Sequence, residues 1–144
     1  MSNAPLILLI DGNRAEREYY AQLLRISSPA FDVLHVATGR VGLGLCQQQL
    51  IDCVVLELDL DDMSGFEVLL RLIPRVWHPK IAVIILTRLE NPYLLEAAIT
   101  NGAQAALHKS TTSGDALVTA ILTAMSTVKT DRNRQRRLMT RNLE

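Results

Sequence analysis

The chain has 144 residues, 49% of them hydrophobic and 21% charged, and its Lys and Arg balance its Asp and Glu at a formal net charge of zero. A chain of this length buries about two thirds of its unfolded surface in one domain, and the composition excludes a disordered polypeptide. No uninterrupted apolar run is long enough to cross a bilayer, and the first, Leu6 to Ile10, lacks the flanks of a signal peptide, so a cytoplasmic location is expected. In chain order, strand-like runs fall at residues 6–10, 32–36, 53–56, 81–86 and 105–107. Most are β-branched and too continuous to be one-sided, which suits strands of a parallel sheet covered on both faces. Segments of helical period lie between and after them, at 15–26, 41–49, 65–73, 93–101 and 115–128. Leu117, Ile121, Met125 and Val128 make one stripe of the last.

Punctuation agrees with these elements. Asn101-Gly102 closes the fourth helix, and Pro74 and Pro79 bracket the break after the third. Thr87 and Glu90 read as a capping box for the fourth helix. The glycines of "GRVGLG", Gly39 to Gly44, miss the spacing of a dinucleotide fingerprint and read as a glycine-weakened helix start. Cys46 and Cys53 have no metal or disulfide spacing and are expected to be buried thiols. Trp77 is expected to pack its loop. Strand and helix repeated five times with right-handed crossovers give an α/β fold with a doubly wound, five-stranded parallel sheet flanked by five helices.

Residues 1–127 carry nine Lys/Arg against thirteen Asp/Glu, and residues 128–144 carry six against two. A domain over 1–128 with a basic C-terminal extension or linker over 129–144 follows. The extension reads as a continuation of the last helix toward a partner, as a contact with nucleic acid or membrane, or as a frayed terminus. No aromatic residue interleaves its charges, so no specific nucleic-acid binding is expected.

In open α/β sheets a ligand sits outside the carboxyl ends of the strands. Those ends are Asp11-Gly12-Asn13, Glu57-Leu58-Asp59, Thr87-Arg88 and His108-Lys109-Ser110. Carboxylates facing a hydroxyl and an ammonium suit a phosphoryl group with Mg2+, and one carboxylate could itself be the nucleophile. "DGNRAER" has no phosphate-cradling glycine motif, which argues against a nucleotide site. Asp61 and Asp62 read as solvated loop acids, and His108 as an edge residue with no catalytic part.

Over residues 5–128 the chain resembles a response-regulator receiver domain of two-component signalling. The resemblance rests on "ELDLDDMSGFEVL", in which Glu57 stands eight residues before Gly65, on "VIILTRLE" with Thr87, and on "NGAQAALHKS" with Lys109. It implies a flavodoxin-like sheet of strand order 2-1-3-4-5. By the same resemblance Glu57 would take the phospho-acceptor position, Asp11, Glu57 and Asp59 would form the acidic pocket, and Thr87 and Lys109 would bind the phosphoryl group. It further implies Mg2+ held at Asp11, Glu57 and Asp59, weakened or lost here. The chain departs from the family at five positions: Gly12 replaces the second metal-binding acid, Glu57 the acceptor Asp, Ala106 the switch aromatic, Asp61 a Pro and Ser110 a Pro.

A Glu reaches about 1.5 Å further than an Asp, and a misplacement of about 1 Å costs phosphoryl transfer roughly a hundredfold. The expected function is therefore an atypical receiver, phosphorylated poorly or not at all, in which the Glu57 charge partly imitates the phosphorylated state. It would act through a protein partner, a histidine kinase or a downstream output protein, with homodimerisation open. A working phosphorelay receiver, phosphorylated by a histidine kinase that overcomes a poor site or accepting on Asp59, is one alternative. A small phosphatase-like or nucleotide-binding enzyme using Asp11 or Asp59 is another.

Overall fold

A computed structural model describes residues 4–77 and 79–143, and of residues 130–143 the backbone. Strands and helices alternate: β1 (Leu6–Ile10), α1 (Arg14–Ser27), β2 (Asp32–Val36), α2 (Gly39–Gln48), β3 (Cys53–Leu56), α3 (Gly65–Leu72), β4 (Ala82–Thr87), α4 (Pro92–Thr100), β5 (Ala105–His108) and α5 (Gly114–Leu143), with a 3-10 turn over Lys109–Thr111 before α5. All neighbouring strands pair in parallel, in the order β2-β1-β3-β4-β5. This is the doubly wound, flavodoxin-like topology that the sequence implies.

Alternation along each strand divides the core in two. Ile7, Leu9, Cys53, Val55, Ala82, Ile84 and Leu86 point to one face, where Tyr20, Ala21 and Leu24 of α1 and Leu117, Ile121, Ala124 and Val128 of α5 cover them. Leu8, Ile10, Val54, Leu56, Val83 and Ile85 point to the other, under Val68 and Leu69 of α3 and Ala98 of α4. Apart from Leu6, the large aliphatic side chains of β1, β3 and β4 are fully buried, each contributing about 1.5–3 kcal/mol of transfer free energy. The same alternation carries past the strand ends. Asp11, Glu57 and Lys109 continue the parity of Leu9, Val55 and Leu107, facing the α1/α5 layer. Thr87 continues Val83 and Ile85, facing the α4 layer with Ala106.

Several details differ from the sequence expectation. The cap of α4 is Asn91, whose side chain accepts from the Tyr93 N–H ahead of Pro92 at the first helical position; Thr87 is not a cap, because its hydroxyl is engaged elsewhere. Gly102 does end the region with φ 108°, a conformation that favours glycine. The glycines of α2 answer to packing: a Cβ on Gly42 would fall on the Ile10 side chain, and one on Gly39 would stand 2.7 Å from Val68. Trp77 does not pack its loop closely, since 73% of it is exposed. Cys53 is buried and Cys46 half-buried, where burial pushes its thiol up to about 11. The last helix continues past residue 128 to Leu143; beyond Lys129 the side chains of the basic extension lie outside the described residues. No helix among the described residues is long and apolar enough to cross a membrane.

Candidate functional site

Four strands deliver the site. The Asp11 N–H donates to Val36 O and the Glu57 N–H to Ile10 O, which extends the sheet ladder one residue past β1 and β3. Thr87 is the last residue of β4, and Lys109 opens the turn after β5. Gly65 sets the chain's return: a Cβ there would stand 2.5 Å from the Leu58 Cα and 2.6 Å from the Glu57 carbonyl oxygen. Its own N–H donates to Leu58 O at 2.9 Å. The loop from Glu57 to the start of α3 closes only over a residue with no side chain.

Asp11, Glu57, Thr87 and Lys109 meet in one crevice. Glu57 is 2% exposed. Its Oε1 accepts from the Thr87 hydroxyl at 2.7 Å and from the Asp59 N–H at 3.1 Å. Its Oε2 accepts from the Arg88 N–H at 3.2 Å and lies 3.1 Å from Lys109 Nζ. The Thr87 Oγ1 in turn accepts from the Leu89 N–H at 3.1 Å, which fixes the rotor. Lys109 Nζ reaches Asp11 Oδ2 at 2.7 Å and Glu16 Oε2 at 2.5 Å. Burial works against this ammonium, but the hydrogen bonds to Asp11 and Glu16 and the charge of Glu57 outweigh it and hold Lys109 above the ordinary lysine value of 10.5.

Sequence reasoning gave no role to three further groups. Glu16 sits three residues after the α1 cap Asn13, whose side chain accepts the Glu16 N–H. Its carboxylate turns to Lys109 instead of back to the cap, whose N–H is taken by Asp11 Oδ1 at 2.9 Å. The Asn-x-x-Glu spacing was the signal available. Tyr20, one turn on, sets its ring 5.7 Å from Lys109 Nζ and donates to Lys109 O at 3.4 Å. Arg88, at a strand end already marked by the sequence, pairs with Asp59 at 2.5 Å on the exposed rim.

Asp11, Gly12, Asn13, Glu16, Glu57, Asp59, Asp61 and Arg88 line a cleft of about 220 Å³. Asp59 belongs to its rim and not to its floor: its side chain is 44% exposed and turned to Arg88. Gly12 leaves room, with a Cβ there 3.5 Å from Ala37 O and 3.8 Å from Asp61 Oδ2. Ala106 packs beside Leu89, Leu94 and Leu95. Asp62 is not merely solvated; it accepts from the Gly39 and Arg40 N–H groups and caps α2. The Arg40 N–H, with that of Gly39, holds its carboxyl below the usual aspartate range.

The arrangement does not fit Mg2+. An octahedral ion at about 2.0–2.1 Å needs carboxylate oxygens free to converge on it. Both oxygens of Asp11 and both of Glu57 already accept from protein donors, Asp59 points to Arg88, and no group of three or more His, Cys, Asp or Glu among the described residues could hold a metal ion.

A CheY-like response regulator receiver domain protein from Methanospirillum hungatei JF-1 has the same fold, with a TM-score of 0.77 at 20% identity over 90% of this chain and 99% of that one. A response regulator receiver domain protein from Clostridium thermocellum is similar at 27% identity and a TM-score of 0.76, over 87% of this chain and 97% of that one. The signal receiver domain of an HD domain-containing protein from Pseudomonas fluorescens Pf-5 is similar at 25% identity and a TM-score of 0.77, over 89% and 99%. Comparison with curated proteins gave no match. The family model of the response regulator receiver domain matches residues 7–122, and the chain belongs to that family.

Proposed function

We propose that this receiver domain signals through protein contacts with Glu57 as a permanent occupant of its acceptor site, and that it is phosphorylated poorly or not at all. One observation carries the reading: the buried Glu57 carboxylate already accepts from Thr87, Asp59 N–H and Arg88 N–H and lies beside Lys109. These are the donors that a transferred phosphoryl group would need. The carboxylate supplies one charge and two oxygens where a phosphoryl group supplies nearly two charges and three oxygens, so the imitation is partial. Nucleophilic attack by Glu57 would first have to break the Thr87 bond and draw Lys109 off its oxygen. The Asp59 alternative is less favoured, because that side chain stands 44% exposed and bonded to Arg88, away from Lys109. The partner would be a histidine kinase or an output protein, and the exposed Tyr93 and Ile99 of α4 suit a protein contact.

The test is mass spectrometry after incubation with Mg2+ and a small acyl-phosphate donor, beside the Gly12→Asp, Glu57→Asp double variant. The variant should gain one phosphoryl mass and the native chain should not. Efficient gain by the native chain refutes the proposal. Its loss in an Asp59→Asn variant would assign the acceptor to Asp59. A generic phosphoester turned over by the native chain would instead establish an enzyme.

A further inference from the structure

The three carboxylates of the crevice converge on an ammonium. Lys109 Nζ has three protons and three carboxylate neighbours, Asp11 Oδ2 at 2.7 Å, Glu16 Oε2 at 2.5 Å and Glu57 Oε2 at 3.1 Å, and its side chain is only 7% exposed. Each leg comes from a different element: the end of β1, the first turn of α1 and the end of β3. Gly12 removes one acid from the strand-end loop, and Glu16 returns a negative charge from the helix, aimed at the lysine. Arg88 adds a second cation at the mouth of the same cleft. A divalent ion entering here would need the oxygens that Lys109 holds, and would meet Arg88 on the way.

We propose that the Lys109 ammonium, gripped by Asp11, Glu16 and Glu57, is the resident cation of this pocket in place of a divalent metal, and that Glu16 is the residue that positions it. The inference deepens the proposed function and rests on it in taking Glu57 as a fixed member of the pocket. Its test reads no phosphoryl transfer, so the two succeed or fail separately. Glu16 touches no reacting group; it acts through Lys109. The charge it supplies keeps the ammonium pinned between Asp11 and Glu57, which bridges β1, β3 and β5 without a metal.

The experiment is NMR on the full 15N-labelled chain, observing the Lys109 ammonium directly together with the Asp59 and Arg88 amides. Such an ammonium is visible only when its protons exchange slowly. The native chain should show the signal, and millimolar Mg2+ should leave it and both amides unmoved. Glu16→Gln should speed ammonium exchange by about tenfold or erase the signal, as loss of a charged neighbour requires, and Glu16→Asp should partly restore it. In Mn2+ binding followed by electron paramagnetic resonance, Lys109→Met should gain affinity by about tenfold or more over the native chain, because one adjacent positive charge is gone. Saturable binding of Mg2+ to the native chain with shifts at Asp59 and Arg88 overturns the proposal. So does an ammonium signal that Glu16→Gln leaves unchanged, a result that stands whether or not Lys109→Met folds.

Discussion

Replacing Glu57 by Gln keeps its length and removes its charge, which makes it the sharpest probe of the crevice. With the amide oxygen in the place of Oε1, the bonds from the Thr87 hydroxyl and the Asp59 N–H survive. The NH2 then faces two donors, the Arg88 N–H and Lys109 Nζ. Flipped, it frees those two but leaves the Asp59 N–H facing a donor. Either orientation strands at least one backbone N–H in a site where residue 57 is 2% exposed, at about 1–3 kcal/mol. Loss of a charged partner from Lys109 adds to this, but Asp11 and Glu16 remain on the ammonium, so the variant falls short of the 3–5 kcal/mol typical of a fully orphaned buried charge. The expected destabilisation is about 2 kcal/mol, or a fall in Tm of about 4–8 °C for a domain of this size. Thermal and urea unfolding followed by circular dichroism would measure it. Asp59→Asn is the control, since its exposed pair with Arg88 should be worth less than about 1 kcal/mol. Equal Tm values for the two variants would refute the claim that Glu57 is an integrated member of the pocket.

Two further outcomes are expected. Gly65→Ala should destabilise by about 3 kcal/mol or prevent folding in the same unfolding assays, because the added carbon meets backbone of Leu58 and Glu57 that cannot step aside. Lys109 has a folded value raised above its ordinary 10.5, so the stability it gives should be fully present below that pH and lost as pH rises through the folded value. Native stability should accordingly decline more steeply above pH 10.5 than that of Lys109→Met, in urea titrations across the alkaline range.

The fold was legible because its strands are covered on both sides, so each reads as an unbroken apolar run. β1, β2 and β3 run as the sequence suggests, and β4 and β5 each end one residue later. The strand ends were legible for the same reason, since the crossover rule brings them to one edge. What the sequence could not supply was the direction of each side chain beyond that edge. Asp59 follows Glu57 at a spacing of two, but the strand has ended, and the loop turns it outward to Arg88. Glu16 is a helix residue whose partner lies 93 positions away, and only the packing of α1 against α5 makes them neighbours. The glycines of α2 hide a similar fact, because the side chain that forbids a Cβ at Gly42 belongs to β1.

A switch needs two arrangements of comparable free energy and a signal that prefers one of them. On the proposed reading the crevice lacks that choice. Thr87 is held by a carboxylate that belongs to the chain and by the Leu89 N–H, so no added group is needed to draw it inward. Ala106, on the same face of the sheet, has no ring to follow the threonine. A protein built this way would present one surface continuously, and its output would be set by how much of it is present and which partner binds. Such a module should bind its partner with the same affinity whether or not an acyl-phosphate donor is supplied, while the Gly12→Asp, Glu57→Asp variant should bind differently with and without the donor. A native affinity that shifts tenfold on adding the donor, a coupling of about 1.4 kcal/mol, would mean that the crevice retains two states and that the reading of Glu57 as a fixed occupant is wrong.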